Sequence, residues 1–494
     1  MNKNNSHEEP NKIRQLQLFP IEFGVKAAYY RFLQSDLGQL WQKIPFDSLA
    51  QSIGQCAIKH GSHVPQWGWF DIRGALACQV LKSYYNGLSD EKLLEKLLEK
   101  LLEKLNQCEI YQWFCFRQLR GDEQIKDKDI FWRWRVFLGS HMDLDSLNVV
   151  QLQTWKGEIE HPHFRMGDAT AYEVFIAYPT SVKLLWQSCE WIYESIAKIG
   201  KSLGLGSLKR EYRHYEDQLA RQRSYEKSRR KTHAQTLSRI RQLLFWLNKG
   251  LDLLKPLLFL HQQKSEVEIG FRPLKERFIS RFETIEKVYD QQKQLFDNPQ
   301  ESIKDRIVSL HQPHIRPIVR GKELKRVEFG PKVHMLRIGG INLIEKFSFD
   351  NFNEGTRFEK ACTAYDELTG KCHQFGADQI YATNSNRRFA TQNHIATCFK
   401  VKGKLPADED KKQDKIKAIQ TIHTIRATHM EGSFGNEKQH YDLLKIKTKT
   451  PETQLSYLFC AILTANAMTL VGREKKRNKQ MAKMAKSKPS ARAA

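Results

Sequence analysis

Apolar residues recur at helical spacing through the first part of the chain. In VKAAYYRFLQSDLGQLWQKI, and again in RGALACQVLKSYYNGLSDEKLLEKL, they lie three and four residues apart, which is typical of amphipathic helices. Gly87 fits a helix end and Ser89 fits the cap of the helix that follows. The pattern predicts a helical N-terminal domain over residues 1–150.

A four-residue unit is repeated within this region, in LLEKLLEKLLEKL, residues 93–105. A coiled coil repeats its apolar positions every seven residues, so an apolar stripe with a period of four drifts around the helix. The segment is either an oligomerisation helix or a tandem duplication inside an ordinary amphipathic helix, and we favour the duplication.

Strand-like patterns begin beyond this region. FRMGDATAYEVFIAYPT, residues 164–180, predicts a strand, a turn and a second strand. LKRVEFGPKVHMLRIGGINLIEKFSF predicts two or three antiparallel strands, and CHQFGADQIYATNSNRRFATQNHIATCFKVK predicts a strand, a loop, a helix and a strand. These segments predict an α/β domain built from residues 160–186 and 301–470.

A charged segment interrupts that domain. Residues 187–300 read as a helical insertion, and the stretch 209–241 holds eleven basic and four acidic residues, a net charge of +7. This basic stretch is either a DNA-facing surface, which we favour, or a solvated helix face. The tail 473–494, with nine basic residues and one acidic residue, is expected to be disordered.

The most apolar run, LSYLFCAILTANAMTLV at residues 455–471, predicts a buried helix. It is shorter than the roughly 20 apolar residues that a membrane span needs, and it contains Ser456 and Asn466. The polar N-terminus lacks the apolar region of a secretory signal. The nine cysteines are scattered without a CxxC pair, which argues against structural zinc and fits a reducing compartment. We therefore expect a cytoplasmic protein without a membrane segment.

The charge balance points to a polyanionic partner. The 494 residues include 80 Lys and Arg against 56 Asp and Glu, a net charge of +24. Such an excess favours nucleic acid or an anionic membrane surface. A membrane-surface protein needs an amphipathic helix with a clean apolar face, and the basic stretch 209–241 holds few large apolar residues. Nucleic acid is therefore the favoured partner.

Two basic segments are candidates for DNA contact. In DIFWRWRVFLGSH, aromatic residues alternate with Arg133 and Arg135; the segment either stacks on bases and grips phosphates or forms a buried aromatic face with outward arginines. In RPIVRGK, the residues Arg316, Arg320 and Lys322 either face phosphate or mark an exposed strand edge.

Three acids stand out by context, namely Asp168, Asp378 and Glu431. Alone, each has an ordinary explanation as a cap, a turn residue or a helix acid. Asp168 and Asp378 each follow or lie in a strand-like run, so they can converge, and a helix can add the third carboxylate. Such an oxygen site suits Mg²⁺ or Mn²⁺. Glu173, an odd number of positions from Asp168, would face the other side of a strand, and Glu328 is another nearby acid.

The blocks around these acids resemble those of a known family. GDAT followed by AYPTSVKLL, then RPIVRGKELKRVEFGPKVH, GADQIYATNSNR and MEGSFGNEKQHY are similar to blocks of DDE transposases of bacterial insertion sequences. LSDEKL, YQWFCF and DIFWRWR resemble the helical DNA-binding region that precedes their catalytic domain. The resemblance covers roughly residues 15–470, apart from the insertion.

The resemblance implies an RNase H-like mixed sheet with flanking helices. It implies that Asp168, Asp378 and Glu431 are catalytic acids that hold two Mg²⁺ ions, for which Mn²⁺ substitutes. Lys438 lies two helical turns after Glu431, on the same face, from where it can reach a DNA phosphate. The pattern departs from the family just before Glu431, because the expected arginine position is Ala427 and Arg426 lies one place earlier.

The activity implied is cleavage and strand transfer at the terminal inverted repeats of the chain's own insertion sequence. The partners implied are double-stranded DNA, as transposon ends and target, and a second copy of the chain, because such enzymes work on paired ends. A nucleoid-associated location in the bacterial cytoplasm follows. A DNA nuclease with the same metal site, and a transposon-derived DNA-binding protein without catalytic activity, are the alternatives.

Overall fold

The computed structural model describes residues 23–67, 70–87, 89, 90, 92, 105–116, 127, 129–205, 209–319 and 327–487. Most of the LLEK repeat, as well as Arg320 and Lys322, lies outside these described residues. The chain divides into two compact units. The first unit comprises Met1–Val174, Pro331–Ser348 and Phe352–Ala494, and the second comprises Phe175–Gly330 and Phe349–Asn351.

Both units are rich in helices. In chain order the helices are α1 (Phe23–Gln34), α2 (Asp36–Lys43), α3 (Phe46–Lys59), α4 (Ile72–Tyr84), α5 (Leu105–Phe114), α6 (Ile130–Ser140), α7 (Leu144–Thr154), α8 (Ser181–Ser202), α9 (Lys209–Lys227), α10 (His233–Val267), α11 (Glu276–Asp297), α12 (Phe358–Thr363), α13 (Asp366–Thr369), α14 (Asn384–Gln392), α15 (Glu409–His440) and α16 (Pro451–Ser487). The strands are β1 (Phe164–Ala171), β2 (Pro317–Val319), β3 (Val327–Phe329), β4 (Lys332–Ile338), β5 (Ile341–Ser348), β6 (Gln374–Gly376) and β7 (Ala396–Thr397).

The first unit is built on a five-stranded mixed sheet in the order β5-β4-β1-β6-β7. The pairs β5–β4 and β4–β1 are antiparallel, whereas β1–β6 and β6–β7 are parallel. The predicted antiparallel pairing is present in β4 and β5. A two-residue turn joins them, in which Gly339 and Gly340 both have positive φ angles, 55° and 86°, as a type I′ turn requires. The α/β class is confirmed at this level.

The second strand predicted from residues 164–180 is wrong. β1 ends at Ala171, and residues 172–180, all of them described, form no further strand apart from one bridge between Val174 and Ile446. Phe175 and Tyr178 are exposed, so the apolar residues that suggested a strand do not belong to a buried face.

The N-terminal helices share one unit with the sheet, and α16 runs between them. It contacts α6, α4 and α2 on one side and β5 on the other. By length and composition α16 is apolar enough to cross a membrane, but 78% of its most apolar window is buried inside the protein. The buried helix predicted at residues 455–471 is confirmed.

The disorder predicted from residue 473 is not observed up to Ser487, where α16 ends. Basic side chains hold this part of the helix to the rest of the unit. Arg473 donates to the carbonyl oxygen of Gly339 at 2.9 Å, and Lys475 lies 2.6 Å from Asp36. Composition alone could not anticipate these contacts, because their acceptors come from distant parts of the chain.

One glycine allows α6 and α16 to approach closely. A Cβ on Gly139 would lie 1.9 Å from the carbonyl oxygen of Glu452. We expect Gly139→Ala to lower the free energy of unfolding by about 1–3 kcal/mol, as overpacking does, measured by urea unfolding. Gly472→Ala in α16, whose Cβ would meet no described atom within 4 Å, is the matched control. Equal effects of the two substitutions would contradict this close packing.

The second unit is a bundle of α8, α10 and α11 with the small sheet β2–β3. Its core includes Leu185, Ile192, Leu243, Leu247 and Ile285. The unit lies in sequence between β1 and β4. It extends beyond the predicted insertion 187–300 at both ends, because α8 already begins at Ser181 and the β2–β3 pair follows the helices.

Candidate active site

Asp168 lies in the middle of β1, the central strand of the sheet. Its register partner on β4 is Met335, and its carboxylate accepts a hydrogen bond from the backbone N–H of Ala169 at 2.8 Å. The side chain is only 13% exposed. A carboxylate at such a position needs a compensating partner, because burial disfavours its charged form.

Asp378 lies two residues after the end of β6, the next strand of the sheet. Since β1 and β6 are parallel neighbours, Asp378 comes to the same edge of the sheet as the end of β1. It caps the 3₁₀ turn Gln379–Tyr381, accepting the N–H of Gln379 at 3.0 Å. Its side chain is 59% exposed, so the pair consists of one buried and one solvent-facing carboxylate.

Arg426, on α15, joins the two aspartates. Its Nη2 atom donates a hydrogen bond to the Asp168 carboxylate, and its Nη1 atom lies 3.8 Å from Asp378 Oδ1. The arginine side chain is 9% exposed. The guanidinium is therefore a shared internal counter-ion for two carboxylates that are more than 200 residues apart in sequence.

The electrostatics of this group are set by burial and by its neighbours. Burial raises the pKa of Asp168 to about 6, against the opposing effect of Arg426, and the nearby Glu354 carboxylate raises the pKa further. Burial alone would lower the pKa of Arg426, but Asp168 and Asp378 together hold it above its ordinary value. Glu354 itself is paired with Lys332 at 2.9 Å.

Glu431 does not join the aspartates. It was predicted near the start of a helix, but α15 begins at Glu409, and Glu431 is exposed on the helix surface. Together with the larger effects of Asp168 and Asp378, and against the effect of burial, its carboxylate helps to raise the pKa of Arg426. The residue of α15 that contacts the aspartates is Arg426, five residues before the glutamate.

Lys438 reaches the central strand. Its Nζ donates to Thr170 Oγ1 at 3.0 Å and lies 5.4 Å from the ring centre of Tyr172. Thr170 is two residues from Asp168, so both side chains lie on the same face of β1. The site therefore has Arg426 beside Asp168 and Lys438 farther along the same strand.

These residues do not form the expected three-carboxylate metal site. Within the described part of the chain, no group of three or more His, Cys, Asp or Glu side chains is placed to hold a metal ion. The Asp168–Asp378 pair carries the negative charge that would attract one cation, and the guanidinium of Arg426 supplies that cation from within the protein.

A buried polar chain supports the loop that carries Asp378. Glu345, on β5, lies 2.9 Å from His334 Nδ1, and His334 Nε2 lies 2.8 Å from the hydroxyl of Tyr381. Tyr381 is fully buried three residues after Asp378. Tyr381 belongs to one of the motif blocks, whereas His334 and Glu345 were not predicted as part of the site. Their signal in the sequence is two ionisable residues inside apolar strand patterns.

We expect Glu345 to make stability depend on pH. Burial raises its pKa, but His334 and Arg357 outweigh this effect and lower it from 4.5 to about 2. Its stabilisation is therefore complete above the unfolded pKa and is lost as pH falls through about 2. Glu345→Gln should cost roughly 3 kcal/mol at pH 7, with the difference from wild type shrinking at pH 3 in urea unfolding. A difference that stays constant with pH would contradict this assignment.

The remaining predicted DNA contacts have different environments. Arg133 pairs with Asp127 and lies 5.3 Å from the ring of Trp67, with the neighbouring Trp132 half exposed. Arg135 is buried and makes two hydrogen bonds to Asp90, at 2.8 and 2.6 Å. It therefore stabilises the interior and lacks the surface position that a DNA contact requires. Arg316, in the second unit, donates to backbone carbonyls of its own turn.

Two carboxylates, a guanidinium and an ammonium at one sheet edge can together bind a phosphodiester and place acid–base groups beside it. No protein-family model, no curated protein and no solved structure matches this chain. The functional interpretation therefore rests on the residues and on their geometry.

Proposed function

We propose that the chain is a DNA transposase of the DDE type, which cuts DNA at the ends of its own insertion sequence and joins those ends to a target. The observation that carries the proposal is the meeting of Asp168 and Asp378 at Arg426. Each aspartate lies in a separate motif block. Two acids of unrelated function would not be expected to share one buried counter-ion.

An RNase H-like fold is part of this proposal. Its support is the order of the sheet, in which three antiparallel strands are followed by two parallel ones. Further support comes from the two acids, because Asp168 lies on the central strand and Asp378 follows the adjacent parallel strand.

The proposed roles follow from position and charge. Asp168 and Asp378 would hold divalent cations once Arg426 leaves the space between them, and Glu431 would supply the third carboxylate. When bound, Mg²⁺ or Mn²⁺ activates the attacking hydroxyl and stabilises the leaving oxygen. Arg426 and Lys438 would then be available to bind the phosphates on either side of the bond that breaks.

The net charge of +24 supports DNA as the substrate. We place recognition of the terminal repeats in the N-terminal helices, where Arg133 and Trp132 are accessible. A homodimer that pairs two ends, acting at the nucleoid in the cytoplasm, completes the proposal.

An inactive DNA-binding protein is a second candidate, and one observation favours it. Arg426 takes the cation position, and Glu431 is exposed and forms no metal-binding group with the aspartates in the described part of the chain. A protein that had lost catalysis would keep this internally neutralised arrangement. A nuclease that hydrolyses without joining has the same residues as a transposase, and only its products distinguish it.

The test is cleavage of a supercoiled plasmid that carries the DNA flanking the chain's own gene, with Mg²⁺ or Mn²⁺ and with DNA binding measured in parallel. We expect nicks or breaks at the element ends, and no cutting by Asp378→Asn or Glu431→Gln. If the wild type binds this DNA but does not cut it, the transposase proposal is wrong and the inactive DNA-binding protein is the better interpretation. Cutting that survives either substitution would remove that residue from the site.

A further inference from the structure

Basic residues crowd the turn between α9 and α10 in the second unit. Segment 221–231 contains one acidic residue, Glu226, and six basic ones. All six side chains are exposed: Arg221, Arg223, Lys227, Arg229, Arg230 and Lys231. We call these six residues the basic turn; they lie within the stretch 209–241, for which the sequence analysis favours a DNA-facing surface.

The charge of the basic turn is not neutralised within the protein. No ion pair joins any of the six to an acidic residue in the part of the chain that the structure describes. Glu226 instead accepts a hydrogen bond from Gln222 at 2.9 Å. By contrast, Lys255 in the same unit pairs with Glu286 at 2.8 Å. The basic turn therefore presents an excess of positive charge to solvent.

The turn has a defined geometry. Arg239 of α10 is buried and donates to Gln222 at 3.0 Å and to Gln218 at 2.9 Å, so it ties α10 to α9. The hydroxyl groups of Tyr225 and Thr236 lie 3.1 Å apart across the same two helices. These bonds hold the basic side chains on a fixed backbone, which lowers the entropic cost of binding a regularly spaced polyanion.

Electrostatics within the protein oppose this arrangement. The residues Arg229, Arg230 and Lys231 immediately precede α10, which begins with a capping box at Thr232. Cations beside the positive end of a helix dipole are unfavourable. Acidic side chains there would give the same solubility and a more stable helix, so the arginines and the lysine are better explained by an external anion.

We propose that the basic turn is a second DNA-binding surface that holds the phosphate backbone of a duplex without reading its sequence. The inference rests on the proposed function for its choice of DNA. Lysine and arginine bind phosphates as non-specific contacts that fix the position of a duplex. A membrane surface is disfavoured, because no large apolar side chain is exposed among the described side chains of residues 216–241.

The test compares two full-length variants of equal charge change. In the first, Arg221, Arg223, Arg229 and Arg230 are replaced by Gln. In the control, four exposed cations of the same unit are replaced by Gln: Arg272, Lys275, Arg277 and Lys287. Affinity for a 40-base-pair duplex of arbitrary sequence is measured by fluorescence anisotropy at several salt concentrations.

We expect the basic-turn variant to bind at least about tenfold more weakly, and its slope of log K against log salt to be shallower by about 3. The control should remain within about twofold of wild type. A further variant with Lys at the four arginine positions keeps the charge and should retain binding, which separates loss of charge from loss of folding. Equal binding by the Gln variant and its control would identify the basic turn as a solvated surface.

Two further measurements keep this inference distinct from the proposed function. If the Gln variant binds DNA as well as wild type does but binds vesicles of anionic lipid more weakly, the partner is a membrane and the inference is wrong. If wild type never cleaves DNA but the Gln variant loses DNA affinity, the basic turn stands and the transposase proposal fails. If wild type cleaves and the Gln variant binds normally, the inference alone fails.

Discussion

Asp168→Asn is expected to lower the rate of DNA cleavage at least about 10³-fold while leaving DNA affinity unchanged. Asn keeps the size of the side chain and removes the charge that faces Arg426. The proposed chemistry needs a negative group on the central strand to hold cations beside the phosphate, and an amide cannot replace it. Single-turnover cleavage of DNA that carries the element ends is the measurement.

Asp408→Asn is the matched control for this substitution. Asp408 caps α15, and Asn serves equally well as a helix cap, so cleavage and stability should both remain near wild type. If Asp168→Asn cleaves DNA at a rate close to that of the control, Asp168 is not a catalytic residue.

Arg426→Met is expected to lower the free energy of unfolding by about 3–5 kcal/mol, as the removal of one partner of a buried ion pair does. Met retains much of the apolar stem but leaves Asp168 buried without its counter-ion. Urea unfolding measures the loss.

A double-mutant cycle tests the reason for that loss. Because Asp168→Asn removes the charge that Arg426 compensates, the double variant should recover more than half of the stability lost in Arg426→Met. If the effects of the two single substitutions simply add, the arginine and the aspartate do not depend on one another. The shared counter-ion described above would then be contradicted.

Much of the fold could be predicted from local pattern. The hairpin at Gly339 and Gly340, the strand–loop–helix–strand order around Asp378 and the buried helix at residues 455–471 each depend on neighbours in sequence. The prediction of a second strand before residue 180 was wrong, because exposed aromatic residues give the same sequence pattern as a buried strand. The disorder predicted from residue 473 was wrong up to Ser487, because the groups that stabilise this part of α16, such as Gly339 and Asp36, are distant in sequence.

The site could be predicted only in part, for a similar reason. The convergence of Asp168 and Asp378 follows from the pairing of parallel strands, and the motif blocks indicated both residues. Arg426 was noted only as a departure from a family pattern, since no sequence rule shows which side of a long helix faces a sheet edge. Glu431 is exposed on α15 and belongs to no metal-binding group in the described part of the chain.

The most direct test of the central claim is strand transfer by the wild-type protein. Oligonucleotide duplexes that end in the pre-cleaved terminal sequence of the element are incubated with target plasmid and Mg²⁺, and joined products are separated on a gel. If the chain is a transposase, the 3′-hydroxyl ends become covalently joined to the target. Specific binding of these ends with neither joining nor cleavage would contradict it.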